Sequence, residues 1–187
     1  MIGYAFSGSY CTLAESFKQF SLLCRAGWDV VPIMSENVYT KDTRFFRAED
    51  FCAMVRDEAG RDIVHTIEDA EPFGHTGRLD YLIIAPCTGN TLAKIASGIT
   101  DTAVTMAAKA HLRCDGKMLI ALASNDAMSQ NLKNIAALIT RKSVYMLPMR
   151  QDNPIGKPHS LVADFSLLCE GFVAMQKDEQ LRPLFLA

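Results

Sequence analysis

Residues 81–91, YLIIAPCTGNT, decide how this chain is read. The apolar run 81–85 breaks at Pro86 into Cys87, Thr88, Gly89, Asn90 and Thr91, and a helical pattern follows. A short apolar run closed by turn-forming residues reads as a buried strand, and the next loop then stands at its carboxyl edge. Backbone N–H groups there, with the positive end of the following helix, favour an anionic or polar ligand. One segment thus predicts both an α/β fold and the place of its ligand site.

The alternation extends on both sides. Residues 2–6 read as a buried strand followed by Ser7, Gly8 and Ser9, and Thr12 with Glu15 three residues on has the spacing of a capping box. Leu13, Phe17, Phe20 and Leu23 recur at helical spacing, Gly27 ends that helix, and residues 29–34 form the next strand. Phe51, Met54 and Val55 mark a second helix before Gly60, and residues 69–78, with Pro72, Gly74 and Gly77, read as a loop. Past the central strand, 92–96 and 103–112 read as helices, 117–123 as a strand, 131–139 as a helix and 144–147 as a short strand. Residues 148–159 read as a Pro/Gly-containing loop and 160–175 as a closing amphipathic helix. This order predicts one domain over 1–187, a Rossmann-like or flavodoxin-like three-layer α/β fold with a mainly parallel central sheet. Ligands then bind at the carboxyl edge, near the point where strand order reverses.

With 187 residues, 49% of them hydrophobic, the chain has material for one such core. The net charge of −2 and the scatter of Lys and Arg argue against a nucleic-acid partner. No apolar stretch reaches the roughly 18 residues of a membrane span, and the start shows neither a charged leader nor a cleavage site, so a cytoplasmic protein is expected. Cysteines stand singly at 11, 24, 52, 87, 114 and 169, with no C-x-x-C pair and no His at ligand spacing. Neither a metal site nor a disulfide framework is expected, and the thiols are read as free and mostly buried. Cys87 is read as a space-filler rather than a nucleophile, because nothing near it in sequence lowers its pKa.

Ser7, Gly8 and Ser9 set two hydroxyls and several N–H groups where a phosphate would meet a helix dipole. They form neither a Walker loop nor a full G-x-G-x-x-G, so a plain turn stands beside the phosphate reading. Ser35, ending the second strand, falls beside that loop in a parallel sheet, either as a ligand hydroxyl or as a cap. Thr88, Gly89 and Asn90 end the central strand. An Asn amide both donates and accepts, which suits the carbonyl and ring nitrogens of a heteroaromatic cofactor; an N-cap from Asn90 is the structural alternative.

Residues 85–113, APCTGNTLAKIASGITDTAVTMAAKAHLR, resemble the flavoprotein family that includes flavin-dependent cysteine decarboxylases and flavin prenyltransferases. Ser7, Gly8 and Ser9 match its first loop, Ser35 its hydroxyl after the second strand, and residues 86–91 its Pro-x-x-x-Asn-Thr segment. The resemblance implies FMN held by Ser7, Gly8, Ser9, Ser35, Pro86, Thr88, Gly89 and Asn90, and Asp101 is a further candidate for a cofactor contact. It also implies a homo-oligomer, trimer or larger, with FMN near the boundary between protomers. Two marks of the decarboxylase branch are missing. Neither His65 nor His75 stands at the spacing of its catalytic His, and both are read as loop or helix-surface residues. Its Pro-x-Met-Asn-x-x-Met-Trp clamp is replaced by Ala123-Ser124-Asn125-Asp126-Ala127-Met128.

Within the family, Thr88-Gly89-Asn90, the run VTMAAKA at 104–110, Ser124-Asn125-Asp126-Ala127 and Gln151-Asp152-Asn153-Pro154 with Lys157-Pro158 look closest to the dipicolinate synthase B subunits. That likeness implies an oxidoreductase subunit of a sporulating bacterium, working with a dehydrogenase-like A subunit that carries NADP. The pair would turn a dihydro- or hydroxy-tetrahydro-dipicolinate into pyridine-2,6-dicarboxylate. A dicarboxylate calls for cations, and Arg150 and Lys157, flanking the loop after the last strand, are the expected ligands. Lys94, Lys109 and Arg113 are read as helix-surface residues. Asp126 is the candidate for proton transfer, with Asp101 as a second one or as an N-cap. Hydride acceptance falls to FMN or to the partner. The alternatives are a non-catalytic accessory subunit that keeps the fold, and a free-standing FMN-dependent decarboxylase or prenyltransferase.

Overall fold

The computed structural model describes residues 1–74 and 78–187; His75 and Gly77, read above as loop residues, lie outside the described residues. Five strands run parallel: β1 (Ile2–Phe6), β2 (Val30–Met34), β3 (Tyr81–Thr88), β4 (Lys117–Ser124) and β5 (Val144–Met146). Two short strands, β6 (Met149–Arg150) and β7 (Leu161–Ala163), add antiparallel pairing, and the order along the sheet is β2-β1-β3-β4-β7-β6, with β5 also on β4. The helices are α1 (Leu13–Arg25), α2 (Glu36–Thr40), α3 (Ala48–Ala59), α4 (Ile67–Ala70), α5 (Gly89–Ser97), α6 (Ala103–Leu112), α7 (Leu132–Ile139) and α8 (Leu168–Gln176).

The pleat of each strand feeds two cores. From β1, Ile2, Tyr4 and Phe6 join the side chains of α1, α3 and α8, whereas Ala5 joins those of α5, α6 and α7 on the other face. Because both faces are covered, the parallel strands read as continuous apolar runs rather than as alternating ones. That is why 81–85 stood out in the sequence. Gly60 and Gly98, at φ +63° and +72°, close α3 and α5 in the left-handed conformation that a side chain resists.

The sheet also positions a site. The chain leaves β1 for β2 on one side and returns to β3 on the other, so the carboxyl ends of β1 and β3 lie together at the reversal of strand order. Ser7 clips them: its N–H donates to Pro86 O at 3.1 Å, its hydroxyl donates to the same oxygen at 2.8 Å, and it accepts from Thr88 N–H at 2.9 Å.

Several expectations are corrected. Residues 160–175 are not one helix: β7 and a 3-10 turn at Phe165–Leu167 precede α8. Asp164 caps that turn by accepting from Ser166 N–H, which stops the helical pattern short of Ser160. The loop predicted at 148–159 contains β6, and residues 69–78 contain the end of α4 and a 3-10 turn at Glu71–Gly74. The capping box at Thr12 does not form, because Thr12 Oγ1 donates instead to Ser9 O and Ser9 Oγ, each at 3.0 Å. Nor are the thiols mostly buried: only Cys52 and Cys87 are, while Cys11 is exposed on the turn before α1 and Cys24, Cys114 and Cys169 are half-buried. Among the described residues no helix is long and apolar enough to cross a membrane.

Candidate functional site

At the carboxyl edge a cavity of about 670 Å³ opens between the β1 loop, the β3–α5 junction, the ends of β4 and β7, and the loop after α2. Its volume falls in the range of small-ligand sites. Gly8 and Ser9 line it from one side, Thr88, Gly89 and Asn90 from another, and Asp126 and Lys157 complete the set of sequence-predicted residues that meet there.

Each wall has a physical cause. A Cβ placed on Gly8 would have nothing nearer than 3.7 Å, so that backbone stands open to a ligand. Ser9 Oγ accepts from Thr12 and lies 4.0 Å from Cys11 Sγ, a long and weak contact, so its hydroxyl can turn toward a ligand. Thr88 caps α5, its hydroxyl accepting from Thr91 N–H at 3.1 Å. The N–H groups of Gly89 and Asn90 precede the first intrahelical bonds and add to the positive end of the helix. Asn90 is therefore not the cap, and its exposed amide is available to a ligand.

Asp126 sits under α5. Its Oδ1 accepts from Ser124 Oγ at 2.6 Å and Asn131 Nδ2 at 2.9 Å, and Asn134 Nδ2 donates to Asn131 Oδ1 at 2.8 Å. The Ser124 hydroxyl, then the Asn131 amide, hold the Asp126 carboxyl below its ordinary pKa. Gly89 is tied to this group because its missing side chain makes the room: a Cβ would stand 2.4 Å from Ser124 Oγ.

Other predicted residues fall elsewhere. Ser7 and Pro86 are the clip beneath the loops rather than cavity wall. Ser35 stands next to Ser7, one step past the Phe6↔Met34 pair, yet it neither lines the cavity nor caps α2. Its hydroxyl is buried with no partner among the described residues. Asp101 lies outside, bound to Lys94 Nζ at 2.8 Å, a hydrogen bond that lowers its pKa, while Thr102 caps α6 in a capping box with Thr105. Arg150 lies outside as well, on β6, where its guanidinium pairs with Asp164. His65 stacks on Tyr39 at 3.8 Å and is no part of the cavity. Cys87 is fully buried, which pushes its thiol pKa far up and leaves it the space-filler expected.

Arg44, Phe45 and Asp152 line the cavity although the sequence reading did not propose them as site residues. Asp152 pairs with Lys157 at 3.0 Å. Burial raises the Asp152 carboxyl, and the contacts with Lys157 and Ser160 together more than offset it, for a net downward shift. Arg44 and Phe45 come from the segment after Ser35, at the same sheet edge, and an adjacent cation and aromatic there was the available signal.

A model of the family described as Flavoprotein matches residues 2–171. The chain belongs to the flavoprotein family. It is 35% identical over 185 residues to the dipicolinate synthase B subunit of Bacillus subtilis (strain 168), covering 99% of this chain and 92% of that one. The crystal structure of the dipicolinate synthase B subunit from Bacillus halodurans C matches it with a TM-score of 0.91 at 36% identity, over 100% of this chain and 95% of that one. The FMN-dependent cysteine decarboxylase SpaF matches with a TM-score of 0.67 at 20% identity over 95% of each chain, a likeness of fold.

Proposed function

We propose that this chain acts as the B subunit of a dipicolinate synthase, holding FMN in the cavity and working with a dehydrogenase-like A subunit that carries NADP. The observation that carries the reading is the meeting of Gly8, Ser9, Thr88, Gly89 and Asn90, from distant stretches, at one cavity in a chain similar along 99% of its length to a protein of that name.

The residues present suit a flat ring with a phosphate. The bare backbone at Gly8 and the hydroxyl of Ser9 offer a phosphate cradle, the α5 N–H groups add positive potential, and the Asn90 amide offers paired donor and acceptor to a heteroaromatic ring. The buried hydroxyl of Ser35 beside that cradle, without a partner among the described residues, is a further donor that a small shift of the loop would engage. FMN, when bound, supplies a two-electron acceptor at this edge. A dihydro precursor gives up one hydride and one proton as its ring becomes aromatic, and a hydroxy-tetrahydro precursor also loses one water. Asp126, kept ionised by Ser124 and Asn131, is the candidate in the cavity to receive the proton, as a weak base whose pKa a bound substrate would have to raise. Assembly of identical chains, trimer or larger, in the cytoplasm of a sporulating cell belongs to the same reading.

A second reading is an accessory subunit without flavin chemistry. It is favoured by one observation: both carboxylates of the cavity are held low by donors, and neither has the raised pKa of a tuned base. Two measurements decide. The purified chain, reconstituted with FMN, is expected to retain a visible flavin band, and added to the A subunit with NADP and the dihydro precursor it is expected to raise the rate of pyridine-2,6-dicarboxylate formation. Stimulation without a flavin band supports the accessory reading, and no stimulation removes both.

A further inference from the structure

The cavity wall holds four charged side chains, and they are not equivalent. Lys157 is matched by Asp152 at 3.0 Å, and Asp126 is held by Ser124 and Asn131. Arg44 alone among these cations has no carboxylate partner among the described residues. Its guanidinium lies over the ring of Phe45, with Cζ 4.8 Å from the centroid, and Phe45 is 44% exposed where it lines the cavity.

This tip is built rather than loose. Thr43 N–H donates to Phe46 O at 2.9 Å, and Thr43 Oγ1 accepts from Phe45 N–H at 3.2 Å and from Phe46 N–H at 3.3 Å. Asp42 Oδ1 accepts from Ala48 N–H at 2.8 Å at the start of α3, and Phe46 anchors the turn against Phe51, 5.1 Å between ring centroids. The turn therefore presents a guanidinium and an apolar ring side by side at the cavity. A planar ring bearing a carboxylate is the ligand such a pair receives: the flat fork of Arg binds carboxylate in two places, and the aromatic side chain covers the ring.

We propose that Arg44, positioned by Phe45 and the Thr43 turn, is the carboxylate receptor of this cavity and selects a planar heteroaromatic carboxylate; the inference rests on the reading above that the site handles such a ring. The charge balance points the same way. Replacing Arg44 leaves Lys157 against two carboxylates, so the wall turns net negative and repels a dianion. The same cation would serve a phosphate equally well on charge alone, so the test separates the two anions.

The test titrates the full chain, with and without FMN, with pyridine-2,6-dicarboxylate by calorimetry, and with FMN by fluorescence, using inorganic phosphate as competitor. Arg44→Gln is expected to weaken pyridine-2,6-dicarboxylate binding by about ten-fold or more, Arg44→Lys to recover part of it, and FMN affinity to stay within about two-fold. Arg150→Gln, outside the cavity, is expected to leave both affinities unchanged. The inference is overturned if Arg44→Gln binds pyridine-2,6-dicarboxylate as the parent does, if it loses FMN instead and phosphate competes at the same site, or if the parent shows no saturable pyridine-2,6-dicarboxylate binding. If the parent takes up no FMN yet binds the dicarboxylate through Arg44, the flavin reading fails and this inference stands.

Discussion

Gly89→Ala tests whether the floor of the site is one connected structure. Gly89 opens α5 without a positive φ, so its backbone admits alanine; space is what forbids it. A Cβ would stand 2.4 Å from Ser124 Oγ, 2.5 Å from Asn131 Nδ2 and 2.9 Å from Asp126 Oδ1. Those atoms cannot step aside separately, because Ser124 and Asn131 both donate to Asp126 and Asn134 fixes the far end of the Asn131 amide. Forcing a methyl group into such a site costs about 1–3 kcal/mol. Alanine returns about 0.4–1 kcal/mol by restricting the unfolded chain. Because the obstructing atoms are fixed to one another the cost falls in the upper part of its range, about 2–3 kcal/mol, and the net expectation is a loss of about 1–2.6 kcal/mol, which at this length is a fall in Tm of about 2–10 °C. Urea unfolding followed by circular dichroism measures it, with flavin retention read on the same samples. In a Ser124→Ala background the nearest obstacle is gone, so the penalty should shrink by about 0.5 kcal/mol or more. An unchanged midpoint, or the same penalty in both backgrounds, would refute the argument.

Gly8→Ala makes the opposite case: with its nearest contacts at 3.7 Å the added methyl should leave stability within about 0.5 kcal/mol while lowering FMN affinity about ten-fold or more, and a fluorescence titration showing full affinity would rule out the phosphate cradle. Asp126 is bound as a carboxylate, so its contribution to stability is present above its unfolded pKa of about 3.9 and drains away as pH falls through the lower folded value. Urea midpoints of Asp126→Asn should therefore lie below those of the parent at neutral pH and converge with them below about pH 4. His111 works through the neutral form: burial lowers its pKa although Lys117 O lies 2.9 Å from Nε2, so below about pH 6.5 the unfolded chain takes up a proton that the native chain resists. Stability should fall as pH drops from about 7 to 5, and parallel midpoint curves for the parent and His111→Gln would remove His111 as the cause.

The parallel part of the fold was legible because its physics is local. The runs 2–6, 30–34, 82–85 and 118–123 are buried on both faces, which helices cover, so burial alone marks them. The β6–β7 hairpin was not legible, because a two-residue and a three-residue strand carry too little alternation to compete with the helical pattern of α8 beside them. What makes them strands is the free second half of β4, left open because β5 pairs only with Met118, Leu119 and Ile120. That is a tertiary fact with no trace in residues 148–163.

The misplacement of Arg150 follows from the same hairpin. Arg150 was expected to bind a carboxylate because residue type alone suggested it. The antiparallel register Arg150↔Val162 brings the end of β7 alongside, and Asp164, just past that end, takes the guanidinium. With 148–175 taken as loop and helix, nothing joins residues fourteen apart, whereas the strand pairing makes their ion pair the ordinary outcome. The consequence reaches beyond one residue. Once Arg150 is satisfied outside the cavity and Lys157 is satisfied by Asp152 within it, the demand of an anionic ligand for an uncommitted cation passes to Arg44, on a loop whose approach to the sheet edge no local pattern announces. Residue types in a sequence state what a site is able to bind. Only the pairing of its charges states which of them remain free to do so.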